Sequence, residues 1–233
     1  MEISIIIPAY NEEKRINKTL ETILSYLQKK KYDYELIVVN DGSTDKTKDV
    51  VLEFKNKQIT VIDNLKNMGK GYSVKHGFLA ATKEWILFSD ADLSTPIEEL
   101  ETFFRYKDYD VIIGSRNLPD SLIVVKQPLL RSTLGKIFPF FVQMLLLPGI
   151  RDSQCGFKLF RKDAAKKIAA LQTIDGFCFD AEQLYIAKKF GFKIKEVPIS
   201  WHNDERSKIK IVKDSVRMFV DLVRIRFKDY TIT

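Results

Sequence analysis

Apolar residues in the first half of the chain follow two alternating rhythms. Short unbroken runs rich in β-branched residues occupy 3–9 (ISIIIPA), 34–41 (YELIVVND), 59–64 (ITVIDN), 84–90 (EWILFSD) and 110–116 (DVIIGSR). Such runs are those of strands buried on both faces. Between them, apolar positions recur every three or four residues. In 11–30, Ile16, Leu20, Ile23, Leu24 and Leu27 share one helical face, with Asn11 as the N-cap. Stretches 43–56, 69–82 and 96–106 also read as helices. Ahead of the last, Thr95, Pro96 and Glu98 fit an N-cap, a first helical position and a capping-box acid. Strand and helix in alternation predict an α/β fold, a mostly parallel sheet with helices on both faces.

In such sheets ligands bind outside the carboxyl ends of the strands. The unusual polar residues stand there: PAYNE after the first run, NDGS after the second, DAD after the fourth and GSR after the fifth. The chain has 233 residues, 45% hydrophobic and 30% charged, with no repeat or low-complexity tract. One domain over 1–208 with a basic helical extension over 209–233 is the simplest division. A net charge of +7 points to an anionic partner, nucleotide or phospholipid surface. Nucleic acid is disfavoured, because the basic residues are not interleaved with aromatics along one groove-like segment. Cys155 and Cys178 form no CxxC pair and read as reduced thiols. The segment MEISIIIPAY is neither a signal peptide nor an anchor, and no window holds the ~18 apolar residues of a spanning helix.

Asp90 and Asp92 lie two apart, so an extended chain points both the same way. Paired carboxylates are costly unless a proton or a cation neutralises them. An all-oxygen site suits Mg2+ or Mn2+ shared with a substrate phosphate. The competing reading makes Asp92 a turn residue before the next helix. Asp41 either closes an Asx turn or accepts hydrogen bonds from a base or ribose. Glu12 suits the first turn of its helix, where the macrodipole favours an acid. KNMGKG (66–71) is like a phosphate-approach loop but matches neither G-x-G-x-x-G nor a P-loop. His76 and His202, the two histidines, are far apart in sequence, so zinc chemistry and a hydrolase triad lack partners.

The motifs PAYNEE, VVNDGSTD, KNMGKG, DADLSTP and GSR, in this order, resemble family 2 glycosyltransferases of the GT-A fold. GIRDSQCGFKLF, FDAEQLYIAKKFGFKIKEVPISW and SKIKIVKDSVRMFVDLVRIR narrow the resemblance to the dolichyl-phosphate β-glucosyltransferases and their polyprenyl-phosphate relatives. Dolichyl-phosphate mannose synthases are similar in layout but match DSQCGFKLF less well. The resemblance implies transfer of a sugar, glucose from UDP-glucose before mannose from GDP-mannose, to a lipid phosphate with inversion. It assigns Pro8, Ala9, Tyr10, Glu12, Asp41, Lys70, Asp90 and Ala91 to the nucleotide sugar. It places Mg2+ or Mn2+ on Asp90 and Asp92, and the acceptor phosphate on Arg116, Arg131, Ser132, Arg206 and Lys208. Asp92, Arg116 and Arg131 become the catalytic set. Asp152, Gln154 and Asp180 become candidates for the sugar side, although Asp152 equally suits fixing its loop and Asp180 capping a helix. Mannose synthases carry a glutamine at the position of Ser94, where it completes the ion's shell; serine is shorter. A transferase with a saccharide acceptor and a non-catalytic partner subunit are the other classes, the latter disfavoured by retention of both aspartates.

A lipid acceptor requires contact with a membrane surface. KIFPFFVQMLLLPGI (136–150) is apolar but short, and is either an interfacial helix or a core helix pair. In the tail, Val212, Val216, Phe219, Val220 and Val223 fall on one side, with Lys213, Arg217, Arg224 and Lys228 among the basic residues. That suits either an anionic surface or packing on the domain. The expected location is peripheral, on the cytoplasmic side of a membrane: endoplasmic reticulum in a eukaryote, plasma membrane in a prokaryote.

Overall fold

The dense runs become strands in the computed structural model, which describes residues 1–124, 138–202 and 211–231. They are β1 (Glu2–Ala9), β2 (Asp33–Asn40), β3 (Ile59–Asp63), β4 (Trp85–Ser89) and β5 (Val111–Ser115). Four more follow: β6 (Leu122–Ile123), β7 (Phe157–Arg161), β8 (Ile194–Pro198) and β9 (Ser200–Trp201). The main sheet has seven strands in the order β3-β2-β1-β4-β7-β5-β8. Every neighbouring pair is parallel except β7, which runs against both β4 and β5. β6 and β9 form a separate parallel pair.

Alternation along each strand divides the core into two layers. Ile3, Ile5 and Ile7 of β1 face one layer, Ile6 the other; Leu87 and Phe88 of β4 divide the same way. The first layer is covered by α1 (Ile16–Lys30) and by 97–106. The second is covered by α3 (Lys70–Ala80), α6 (Lys162–Leu171), α7 (Phe179–Lys189) and α8 (Ile211–Phe227). Residues 138–145 are helical as well and are called α5; Val142 joins the second layer. Short α2 (Thr47–Leu52) and α4 (Leu100–Phe103) complete the count among the described residues. None of the described helices is long and apolar enough to cross a membrane.

Helix starts differ from the sequence reading. Asn11 is not an N-cap: α1 begins at Ile16, its N-cap is Arg15, and no side chain caps it. Asn11 instead takes a left-handed backbone, φ 53°, and Glu12 lies in the turn ahead of the helix rather than in its first turn. The apolar stripe makes a cap dispensable. Burying Ile16, Leu20, Ile23 and Leu27 contributes roughly 1.5–3 kcal/mol each, against about 1 for a cap. Nor do Thr95 and Glu98 form a capping box. Pro96 holds the cap position of a 3-10 turn at Ile97–Glu99. Thr95 is buried, its hydroxyl 4.0 Å from Cys155 Sγ.

α8 joins the domain through Met218, Leu222 and Ile225, and the chain beyond it adds Tyr230 to the same core. The Tyr230 hydroxyl donates to Glu182 Oε1 of α7 at 2.8 Å.

α3 lies against β1 at Gly77, where a Cβ would overlap Cγ2 of fully buried Ile6. Gly77→Val is expected to destabilise the fold by roughly 1–3 kcal/mol through overpacking. A urea midpoint that does not fall would contradict this close approach.

Candidate active site

The carboxyl ends of β1, β2, β4 and β5 open at one edge of the sheet. β7 runs the other way, so its first residues arrive at that edge too. Phe157 pairs with Ser89, and the Asp90 N–H donates to the Gly156 carbonyl at 3.0 Å. The antiparallel strand thus brings the DSQCGFK segment up to the DAD segment, which are far apart in sequence.

The loops after β1 and β2 interlock. Pro8 and Ala9 pair with Val39 and Asn40, and the Asp41 N–H donates to Ala9 O at 2.8 Å. Ser43 Oγ accepts from the Asn11 N–H at 2.9 Å, and Asn11 Oδ1 accepts from the Thr44 N–H at 2.8 Å. Thr47 Oγ1 accepts from the Glu12 N–H at 2.7 Å, while the Glu12 carboxylate pairs with Arg15. With the Glu13 N–H donating to Asp45 Oδ2 at 3.2 Å and the Lys46 N–H to Glu13 Oε2 at 3.1 Å, residues 43–46 are engaged with the first loop, and α2 starts at Thr47 rather than 43. Tyr10 follows directly and is half-buried.

Asp41 is almost fully buried and serves the loop after β3. Its Oδ1 accepts from the Met68 N–H (2.9 Å) and Asn64 Nδ2 (2.9 Å), its Oδ2 from the Gly69 N–H (2.9 Å). The Asp175 carbonyl takes the N–H groups of Gly71 (2.8 Å) and Tyr72 (3.3 Å). The amides of Met68, Gly69 and Gly71 in the KNMGKG loop are therefore spent inside the protein and are not open to a phosphate. What the loop delivers is Lys70, whose Nζ lies 2.7 Å from Asp90 Oδ1. Burial alone would lower the Lys70 ammonium, but the carboxylates of Asp90, Asp180 and Asp92 outweigh it and raise it.

Asp92 does serve as a turn residue: its Oδ1 accepts the Ser94 N–H at 2.9 Å, with Leu93 left-handed at φ 48°. Burial, and then the neighbouring Asp90 charge, push the Asp92 carboxyl up. Ser94 is held on both sides, since its carbonyl accepts the His202 N–H at 2.8 Å. Ala91 is buried, its carbonyl accepting Thr19 Oγ1 at 2.6 Å. Gly156 leaves room for the Asp90 carboxylate; a Cβ there would overlap it.

Sequence reasoning missed Lys158. It is fully buried, ion-paired with Asp180, and donates to the Cys155 carbonyl at 2.6 Å. Phe88 has Lys158 Nζ 5.5 Å from its ring centroid and Lys70 Nζ at 5.3 Å. The signal was present: a lysine inside the apolar GFKLF run requires a buried partner. Asp180 does not cap α7, whose N-cap is Cys178 without a side-chain cap; burial pushes its carboxyl up, and Lys158 and Lys70 pull it back.

Arg116, at the end of β5, is held by Asp152. Its N–H and Nε donate to Oδ2 at 2.9 and 2.7 Å, and Nη2 donates to Oδ1 at 2.8 Å. The guanidinium carbon stands 5.5 Å from the Trp201 ring centroid. Asp152 is fixed in turn by its N–H donating to Glu196 Oε1 at 2.7 Å. Burial would raise the Asp152 carboxyl, but Arg116 holds it below the usual range. Of the two readings of Asp152, the structure gives it the loop-fixing contacts. Gln154 is half-buried nearby in sequence. Burial pushes the Cys155 thiol up to about 12, and the Cys178 thiol up as well, so neither is an activated nucleophile. Arg131, Ser132, Arg206 and Lys208 lie outside the described residues.

Asp90 and Asp92 are the donors a hard divalent ion would use. Among the described residues no three His, Cys, Asp or Glu side chains gather into a metal cluster. Two carboxylates fit an ion that completes its shell with phosphate oxygens and water, as Mg2+ commonly does. Asp92, pushed up by burial and by Asp90, is the group whose charged form such an ion would favour.

A family model described as glycosyl transferase family 2 matches residues 4–169. A dolichyl-phosphate beta-glucosyltransferase of Dictyostelium discoideum is 37% identical, covering 97% of this chain and 74% of the relative. Its human counterpart is 34% identical over 99% of this chain and 76% of the relative. A Mycobacterium tuberculosis glucosyl-3-phosphoglycerate synthase, solved with Mn2+, UDP and phosphoglyceric acid, superposes with a TM-score of 0.73. It is 17% identical, over 98% of this chain and 79% of that one, and so shows the shared fold.

Asp152→Asn is expected to cost about 3 kcal/mol, the lower end for breaking a buried pair, because Arg116 keeps some contact with water. The Asp152 carboxyl is lowered on folding, so its contribution is full above the unfolded value near 3.9 and lost as pH falls through the folded one. Urea midpoints of the two proteins should therefore converge in acid; a constant difference down to pH about 2 contradicts the assignment. Gly156→Ala is expected to keep the melting temperature and lower turnover about 10²-fold, by displacing the Asp90 carboxylate. Unchanged turnover would remove Asp90 from the site.

Proposed function

Because the chain belongs to glycosyltransferase family 2, we propose that it transfers glucose from UDP-glucose to the phosphate of a dolichyl or other polyprenyl phosphate, with inversion. The observation that carries the reading is likeness to dolichyl-phosphate beta-glucosyltransferases along nearly the whole chain. The site's chemistry supports it. The acceptor oxygen belongs to a phosphate, already anionic near neutral pH. It needs no strong general base, which suits a mouth built from carboxylates, lysines and an arginine. The demanding tasks are to stabilise a departing nucleoside diphosphate and to bring two anions together.

Each described residue then has a task. Pro8, Ala9, Tyr10 and Glu12 border the nucleoside side. Asp41 acts there by fixing the loop that delivers Lys70. Lys70 holds the Asp90 carboxylate in place and supplies positive charge beside the diphosphate. Asp90 and Asp92 would hold Mg2+ or Mn2+, which supplies charge neutralisation to the leaving diphosphate when bound. Asp152 takes the Nε–Nη2 edge of Arg116, so the acceptor phosphate meets the remaining edge of a guanidinium already set in orientation. Arg131, Ser132, Arg206 and Lys208 belong to the same proposed phosphate site. A lipid acceptor places the enzyme at a membrane face, in this reading the cytoplasmic one.

Radiolabelled glucose should pass from UDP-glucose to detergent-dispersed polyprenyl phosphate when Mn2+ or Mg2+ is present. GDP-mannose should be the poorer donor. Asp92→Asn should lose at least about 10²-fold while keeping its circular dichroism spectrum. Absence of lipid-linked product with every donor refutes the transfer. Full activity of Asp92→Asn in a chelator refutes the ion.

A further inference from the structure

α8 carries two apolar stripes, and the domain covers one of them. Met218, Leu222 and Ile225 are buried in the core. Phe219, Val220, Val223 and Phe227 recur at helical spacing on a separate arc and are exposed, Phe227 at 83%. A polar face is what solubility asks of such an arc. Projected at 3.6 residues per turn, Arg217 and Arg224 fall along one border of the exposed stripe and Arg226 along the other. All three arginines are exposed.

α5 extends the same patch. Phe141 meets Phe219 edge to face at 5.3 Å between ring centroids, joining the two helices. Beside that contact α5 exposes Phe140 (62%) and Met144 (59%). The chain reaches both helices from the mouth of the site. Val124, whose N–H donates to Trp201 O at 3.0 Å, precedes α5 by the segment 125–137. His202, bonded to Ser94, precedes α8 by 203–210.

We propose that α5 and α8 together form the face that seats the protein on a bilayer bearing anionic headgroups. Phe140, Met144, Val220, Val223 and Phe227 enter the headgroup–acyl boundary, and the flanking arginines meet lipid phosphates. An apolar stripe with cations on both borders matches that boundary, which is apolar below and anionic above. A second copy of this chain would bring arginine against arginine across a two-fold contact, which disfavours it. The choice of a bilayer rests on the lipid-acceptor reading; the face itself does not.

The test is cosedimentation of the full chain with phosphatidylcholine vesicles, with and without phosphatidylserine, and free of polyprenyl phosphate and sugar donor. Binding should require phosphatidylserine and weaken as salt rises. A Val223→Ser, Phe227→Ser double variant should bind at least tenfold less at unchanged circular dichroism. It should keep its turnover on detergent-dispersed acceptor if the transferase reading holds. Arg217→Gln with Arg226→Gln should lose the salt-sensitive part. Equal binding by the apolar variant overturns the proposal. So does a wild type that ignores vesicles and runs as a dimer that the variant converts to monomer. Because no acceptor is in the vesicles, a failure of the transferase reading leaves this outcome unchanged.

Discussion

Opposite charges held in register at the β4–β7 edge set the terms for the rest of the site. Three cations stand there, Lys70, Arg116 and Lys158, each with its own carboxylate: Asp90, Asp152 and Asp180. An unpaired lysine as deeply buried as Lys158 would be prohibitive, so Asp180 is as much a condition of the fold as of the site. Asp92 is a fourth carboxylate beside those three cations, and burial first, then the Asp90 charge, pushes its carboxyl up. Among the described residues the arrangement is short of positive charge next to the place where an anionic donor would arrive. A divalent ion accompanying that donor answers both needs at once.

Much of the architecture was legible because burial writes itself into periodicity. β1 to β5 are dense apolar runs, and the α1 stripe is spaced as a helix must be to lie on a sheet. Legibility failed where a side chain bonds to something distant along the chain. Nothing local announces that Asp41 takes the amides of Met68 and Gly69, two of the donors that the glycine-rich loop suggested for a phosphate. Thr95 fits a cap pattern, yet the core claims it. β7 escaped because Lys158 interrupts its apolar run and because alternation of strand and helix anticipates parallel neighbours. Asp90, Asp92 and Arg116 could be picked out by type and position; the partners that orient them could not.

The tail shows how two readings of one pattern can both hold. Packing on the domain and exposure of an apolar side were posed as alternatives, and α8 does each with a different arc. The same helix that helps close the second core layer therefore presents the proposed lipid-facing surface. The proposed lipid-facing surface and the second core layer are thus two sides of one helix.

The place of Tyr230 in the core bears on how the chain is made. Its ring and its bond to Glu182 help complete a layer that also contains Ile6 and Val74. Residues of β1 thus share a core with a residue read more than two hundred codons later. That layer is complete only once the segment carrying Tyr230 has emerged, and part of its apolar surface stays exposed until then. Such long-range closure is slow and exposes the nascent protein to aggregation, so the growing chain is a natural client for chaperones.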